Sequence, residues 1–284
     1  MPESLVINLV SESAIPSQYL GGHHLNRLLL ALISTVDVDL GQSLQSHKHQ
    51  SFTLSPLQIT AQSASARNLK FLLPRQPLET TQFQYENSSI PAGYHCWWRV
   101  SLLDDGLFAH VSPRLKRAAI RKTWYLGPAR LNVTNFLPAH SHPWASHDSY
   151  QQLYNQASDA NRYLTFQLIT PAVFRQGKQD SPLPTRDAVF QGLRKCWNRY
   201  SGLVFAPDII NPITAQSFNI RTVTLAMDNR KTVVGCLGEI TFQIAAQTDP
   251  LIIKRLNALT NFSRYCGIGY KTELGLGMVQ TGAR

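Results

Sequence analysis

The sequence predicts an α+β protein made of two tandem ferredoxin-like (βαββαβ) domains. Three observations predict it. The second half alternates β-branched and aromatic runs with two helical patterns in the order β-α-β-β-α-β. The first half permits the same order. A polar stretch with few aliphatics, 138–160, separates the two. The expected organisation is therefore a first domain at 1–137, a linker at 138–160 and a second domain at 161–284.

In the second half, "YLTFQLITPAVF" (163–174) has strand composition. "PTRDAVFQGLRKCWNRY" (184–200) places Val189, Leu193, Cys196, Trp197 and Tyr200 at helical spacing, with Arg186, Arg194 and Lys195 on the other side. "NIRTVTLAM" and "VVGCLGEITFQIA" read as two strands of a hairpin turning at "DNRK". In "DPLIIKRLNALTNFSRYCG" (249–267), Asp249 can cap a helix and Pro250 suits its first position. Ile252, Leu256, Leu259 and Cys266 line one face, and Gly267 is placed to end the helix in the left-handed conformation. "GLGMVQ" is the last strand.

In the first half, "SLVINLV" is the expected opening strand and "HHLNRLLLALIS" (23–34) the first helix. "SFTLSPLQI" and "CWWRVSLL" are the inner strands. "DGLFAHVSPRLKRAA" (105–119) is the second helix, with Leu107, Phe108, Val111 and Leu115 inward, and "ARLNVTNFL" closes the unit.

The charge points to a polyanion. With 27 Lys+Arg against 17 Asp+Glu the net charge is +10, which fits a nucleic-acid partner, less often an anionic membrane. The N-terminus lacks the basic start and apolar core of a signal peptide, and no apolar run is long enough to span a bilayer. Cys96, Cys196, Cys236 and Cys266 form no C-x-x-C pair, so free thiols in a reducing cytoplasm are expected rather than a zinc site. No cofactor and no membrane partner are expected. "HSHPWASH" (140–147) has no carboxylate or cysteine to complete a metal site and reads as polar linker.

"GIGYKTELGLG" (267–277) gathers four of the sixteen glycines around one lysine. Glycine lets backbone amides approach phosphate oxygens, and successive amides form an anion-binding concavity. Lys271 adds a charge at its rim, although caps and tight packing would also use these glycines. The stretch lacks the third glycine of G-x-G-x-x-G and follows a helix rather than a strand, which excludes the dinucleotide fingerprint, and the phosphate-loop pattern G-x-x-x-x-G-K-[ST] is absent too.

Gly-apolar-Gly, five residues with a cation, then Gly-apolar-Gly resembles the C-terminal signature of the CRISPR repeat-processing endoribonucleases, within the superfamily of repeat-associated RNA-binding proteins. Gly267, Ile268, Gly269, Lys271, Gly275, Leu276 and Gly277 fit it without a gap. "FTLSPL" (52–57), "TPAVFR" (170–175), "PLPTRDAVFQGLRKCWN" (182–198) and "GCLGEITF" (235–242) are similar in order, so the resemblance covers nearly the whole chain. It implies two ferredoxin-like domains, metal-independent cleavage of repeats in precursor CRISPR RNA, and retention of the guide RNA, often with other subunits of an effector complex.

The resemblance also implies a catalytic histidine between the first helix and the "FTLSPL" strand, and in many relatives a second at the start of that helix. A gapless match puts Asn26 and Gln45 at those positions, and neither is a normal general base. His47 and His49 stand two and four residues beyond Gln45, and His23 and His24 precede the helix. His47 or His49 is the expected proton-transfer group, with His24 or His23 as a second. Lys48 either stabilises charge or is a solvated loop lysine. Gly267, Gly269, Lys271, Gly275 and Gly277 are expected to hold RNA, with Arg186, Arg194 and Lys195, and with Lys116 and Arg117 from the basic run "RLKRAAIRK" (114–122). The alternative is a catalytically inactive subunit that binds repeat RNA.

Overall fold

The computed structural model describes residues 1–46, 51–60, 89–106, 112–113, 117, 123–227 and 232–282. The chain divides into two compact units. One holds Glu3–Leu102 and Gly106–His147; the other holds Met1–Pro2, Leu103–Asp105 and Asp148–Arg284.

In the first unit, β1 (Glu3–Ser11) leads to α1 (Gly22–Val36), α2 (Val38–Ser46), β2 (Phe52–Leu54), β3 (Gln58–Ile59), β4 (His95–Leu102), β5 (Trp124–Leu126), β6 (Ala129–Leu137) and β7 (Ser146–His147). The sheet runs β2-β4-β1-β6-β5 with antiparallel neighbours. Without the added edge strand β5, this order is that of a split βαβ unit, with β4 between the parallel strands β1 and β2. Alternation sets its faces: Ile7 and Leu9 of β1 and Trp98, Val100 and Leu102 of β4 pack on Leu25, Leu29, Leu32 and Ile33 of α1.

The pattern did not predict α2. Asp37 breaks helical geometry at the end of α1, and its carboxylate accepts from the Leu40 amide (2.9 Å), capping a new helix at once. The expected helix at 105–119 lies largely outside the described residues, as do the inward positions Leu107, Phe108, Val111 and Leu115. The described members 105–106, 112–113 and 117 are helical.

In the second unit come α3 (Tyr150–Asn155), β8 (Tyr163–Ala172), β9 (Phe174–Gln176), β10 (Gln179–Ser181), α4 (Arg186–Tyr200), β11 (Ile213–Ala226), β12 (Thr232–Ile244), α5 (Pro250–Cys266) and β13 (Val279–Gly282). The main sheet runs β11-β12-β8-β13, all antiparallel, again the ferredoxin-like order. Thr185 caps α4 through the Ala188 amide (3.2 Å). Asp249 caps α5 through the Leu251 amide (2.7 Å), with Pro250 at the first position. Val189, Phe190, Leu193 and Trp197 of α4 and Ile253, Leu256, Leu259 and Phe262 of α5 share one core with Leu164, Phe166, Ile240 and Phe242 of the sheet. The "DNRK" turn lies outside the described residues.

Two expectations change. Residues 138–160 are not simply a connection: the loop folds against the first sheet, and α3 carries Tyr150 and Leu153 into the second core. A capping box, Ser149 with Gln152, starts α3, and Tyr150 Oη donates to the Leu103 carbonyl (2.8 Å). Gly267 does end α5, but at φ 68 and ψ −174 rather than in the left-handed helical region. All four cysteines are free; burial pushes the Cys96 thiol up to about 12 and the Cys236 thiol up to about 11. No helix among the described residues is long and apolar enough to cross a membrane.

Candidate nucleic-acid interface

The glycine stretch joins α5 to β13. Its amides are largely committed inward. Ile268 donates to Gly277 O (2.8 Å), Tyr270 to Val173 O (2.7 Å), Gly277 to Pro171 O (2.9 Å) and Met278 to Thr170 Oγ1 (2.8 Å). Leu274, Gly275 and Leu276 close a 3-10 turn on Lys271 and Thr272. The amides of Gly269, Lys271 and Thr272 take no acceptor among the described residues, so the expected amide concavity shrinks to these three.

Close backbone approach explains two of the glycines. A Cβ on Gly269 would lie 2.5 Å from Val173 O, and one on Gly277 would lie 1.8 Å from Ile268 O; both residues have positive φ. The contacts they permit are internal, one with the residue just after β8 and one across the loop itself.

Lys271 is different. It is one of two non-glycine residues with positive φ among those described, at φ 64 and ψ 37. A side chain in that region is strained, a cost that a glycine there would avoid. Glu273, in the same turn, is half-buried; desolvation pushes its carboxyl above the ordinary range, while its own amide and Lys271 pull it back.

The other expected contacts separate. On α4, Lys195 is exposed. Arg186 bonds Asp187 (3.2 Å) and Asn211 O (3.4 Å). Arg194 is spent on structure: its guanidinium donates to Gln191 Oε1 (2.9 Å) and Phe205 O (3.0 Å), fastening the loop after the helix. Arg117 is exposed, while Lys116 lies outside the described residues. His47, Lys48 and His49 also lie outside them. In the first turn of α1, His24 is half-buried, its ring edge-on to Tyr19 at 5.1 Å. His23 and Asn26 are half-buried on the same turn, and Gln45 is exposed on α2.

The "HSHPWASH" loop packs against the first sheet. His142 lies against Trp97 (4.9 Å) and Trp144 against the guanidinium of the buried Arg99 (5.7 Å). Burial pushes the His142 imidazole below its ordinary value. No group of three metal-binding side chains occurs among the described residues.

Sequence reasoning passed over Arg175 and Tyr270. Arg175, on β9, lays its guanidinium over the Tyr270 ring at 4.8 Å, and Lys271 Nζ lies 5.5 Å from the same ring. An aromatic beside the loop lysine was the available signal.

Two ferredoxin-like units, one ending in a glycine loop with a half-buried lysine at positive φ, on a strongly basic chain, fit an RNA-binding protein of the repeat-associated kind. The model of the CRISPR Cas6 N-terminal domain matches residues 1–155, and that of the CRISPR-associated endoribonuclease Cas6 matches residues 166–279. The chain therefore belongs to the Cas6 family of CRISPR-associated endoribonucleases. Among solved structures, a Thermus thermophilus Cas6 in a product complex is 23% identical, with a TM-score of 0.76 over 99% of this chain and 100% of that one. A second Cas6 product complex is 22% identical, with a TM-score of 0.73 over 99% of each chain. The structure of a Cas6-related gene product from Pyrococcus furiosus is 13% identical, with a TM-score of 0.61 over the whole of both chains. At these identities the likeness is one of fold. No curated protein sequence matches the chain significantly.

Proposed function

We propose that the chain cuts CRISPR precursor RNA within its repeats without a metal ion, leaving a 2′,3′-cyclic phosphate and a 5′-hydroxyl, and keeps the product bound. The observation that carries this reading is the match of both Cas6 family models along the chain, ending in the Gly267–Gly277 loop. RNA supplies its own nucleophile. A base takes the proton of the 2′-hydroxyl, the 2′-oxygen attacks the adjacent phosphorus, and the phosphorus–5′-oxygen bond breaks as an acid protonates the leaving oxygen. Holding the 2′-oxygen in line supplies much of the rate. His47 or His49 is proposed for proton transfer, with His24 or His23 as a second group. Lys48 is placed in the sequence to stabilise the phosphorane. Lys271 is proposed to hold a phosphate. Lys195, Arg117, Lys116 and the half-exposed Arg186 extend the basic contacts, while the hydrogen bonds of Arg194 favour a structural role. Work inside the reducing cytoplasm, alone or with other effector subunits, fits the four free thiols.

Asn26 and Gln45 support a second reading, an inactive subunit that holds repeat RNA for another nuclease. Incubating the protein with its host's repeat RNA in EDTA tests both. Cleavage with 3′ ends that resist a ligase requiring a 3′-hydroxyl and 5′ ends that accept phosphate from a 5′-kinase supports the enzyme. Tight binding with no cleavage, with or without divalent cations, supports the inactive subunit. Cleavage only with a divalent cation overturns the metal-free chemistry.

A further inference from the structure

We propose that Arg175 and Tyr270 form a stacking platform for one unpaired base of the bound RNA, with Lys271 beside it for a flanking phosphate. This rests on the reading above that the chain binds repeat RNA.

Three observations carry it. The guanidinium of Arg175 lies over the Tyr270 ring at 4.8 Å, and Asp180, its partner across the β9–β10 hairpin, stands 3.7 Å from Nε. The guanidinium face thus lies against the ring while a carboxylate stands near its edge. The platform is also open: Tyr270 is 37% exposed, and Arg175 is exposed. A tyrosine ring left at the surface between two cations gains nothing from burial. Finally, both halves stand on one rigid base. Phe174 is fully buried beside Arg175, and the Tyr270 amide is tied to Val173 O at 2.7 Å, an approach that only a glycine at 269 allows. The fold therefore brings the backbones that carry ring and guanidinium together before any ligand arrives.

Paired bases in an RNA helix already stack on their neighbours and offer no free face. A flat cation–aromatic pair suits a base outside the helix, whose π-face can lie on a guanidinium or an aromatic ring. The same geometry does not read hydrogen-bonding edges, so the contact would select an unpaired nucleotide at one position rather than a particular base.

The experiment uses the full chain and the host's repeat RNA carrying 2-aminopurine at each unpaired position in turn. Fluorescence reports stacking, and a filter assay reports affinity. The expected result is quenching at one unpaired position, lost in Tyr270→Leu and kept in Tyr270→Phe. Affinity should fall roughly tenfold to a hundredfold in Tyr270→Leu. Arg175→Lys, which keeps the charge but not the plane, should weaken quenching at the same position. Thermal unfolding of each variant shows whether the fold is intact; if Tyr270→Leu does not fold, Arg175→Lys and Tyr270→Phe decide alone. Wild-type binding with quenching unchanged in the folded variants overturns the platform and leaves the proposed function standing. Failure of the wild type to bind repeat RNA at all overturns that reading and the platform with it.

Discussion

Ile268 and Gly277 face each other backbone to backbone across the loop: the Ile268 amide donates to the Gly277 carbonyl at 2.8 Å, and a Cβ on Gly277 would stand 1.8 Å from the Ile268 carbonyl oxygen. The two Gly-apolar-Gly triplets are thus halves of one clasp. Each buries its apolar residue, Ile268 and Leu276, while the glycines let the main chains touch. Gly277→Ala must push back a main-chain carbonyl and strain a positive φ. It should cost at least about 2 kcal/mol, seen as a fall in melting temperature of roughly 4–8 °C. Gly269→Ala should act the same way through Val173 O. Thermal scans of the free protein check this, because the loss is expected before RNA is added. Unchanged melting in both variants would show that the clasp tolerates side chains.

Lys271 separates stability from binding. Its left-handed backbone costs a lysine about 1 kcal/mol that a glycine avoids. Lys271→Gly should therefore melt at the same temperature as the wild type or slightly higher, yet bind repeat RNA less tightly and with a shallower salt dependence. Lys271→Ala keeps the strain and loses the charge, so it should bind equally weakly without the gain in stability. Titration of affinity against salt for all three proteins is the check. Normal binding by both variants would remove Lys271 from the interface.

Glu273 sets a pH dependence. Burial holds its carboxyl above the value it has in the unfolded chain. The folded state therefore binds the proton more tightly, and stability falls as pH rises from the unfolded value through the folded one. Glu273→Gln cannot lose that proton. At neutral pH it should melt higher than the wild type, and the difference should shrink below the ordinary carboxylate range. Melting curves at several pH values measure it; a difference independent of pH would place the effect outside this ionisation.

The order of elements was legible because the long elements bury one face each. Val189, Leu193 and Trp197 on α4, and the alternation of Leu164, Phe166 and Leu168 on β8, mark their period directly. The short elements carry too few residues to show one. β9 and β10 have three residues each, and α2 begins one residue after α1 ends. In the 138–160 stretch, polar composition hid Tyr150 and Leu153, although Ser149 and Gln152 spelled the capping box. The glycine signature located the loop but not its use, since spacing cannot say whether the backbone opposite Gly269 is Val173 or a phosphate. Arg194 shows the same limit: a cation on the polar side of a helix looked available until its bonds to Gln191 and Phe205 were seen.

The histidines are where the proposed chemistry is most exposed to test. The family resemblance places a proton-transfer group between α1 and β2. Gln45, on the last turns of α2, cannot do that work, whereas "SHKHQ" follows it directly. His24 stands on the first turn of α1 with its ring against Tyr19, so its replacement also removes an aromatic contact. His47→Ala and His49→Ala should be compared in single-turnover cleavage with affinity measured separately. Loss of a single proton-transfer group costs roughly 10²–10⁴-fold in rate, so one variant should lose that much while binding as before. The other should remain near the wild type. His24→Phe keeps the ring against Tyr19 and removes only the titrating nitrogen, so a loss of rate there, at unchanged melting temperature, would identify the second group. Full activity in all three would move the catalysis to His23 or away from histidine altogether. A wild type that binds tightly and never cuts would instead make Asn26 and Gln45 the explanation, because an amide at each position can hold a hydrogen bond but cannot take the 2′-hydroxyl proton.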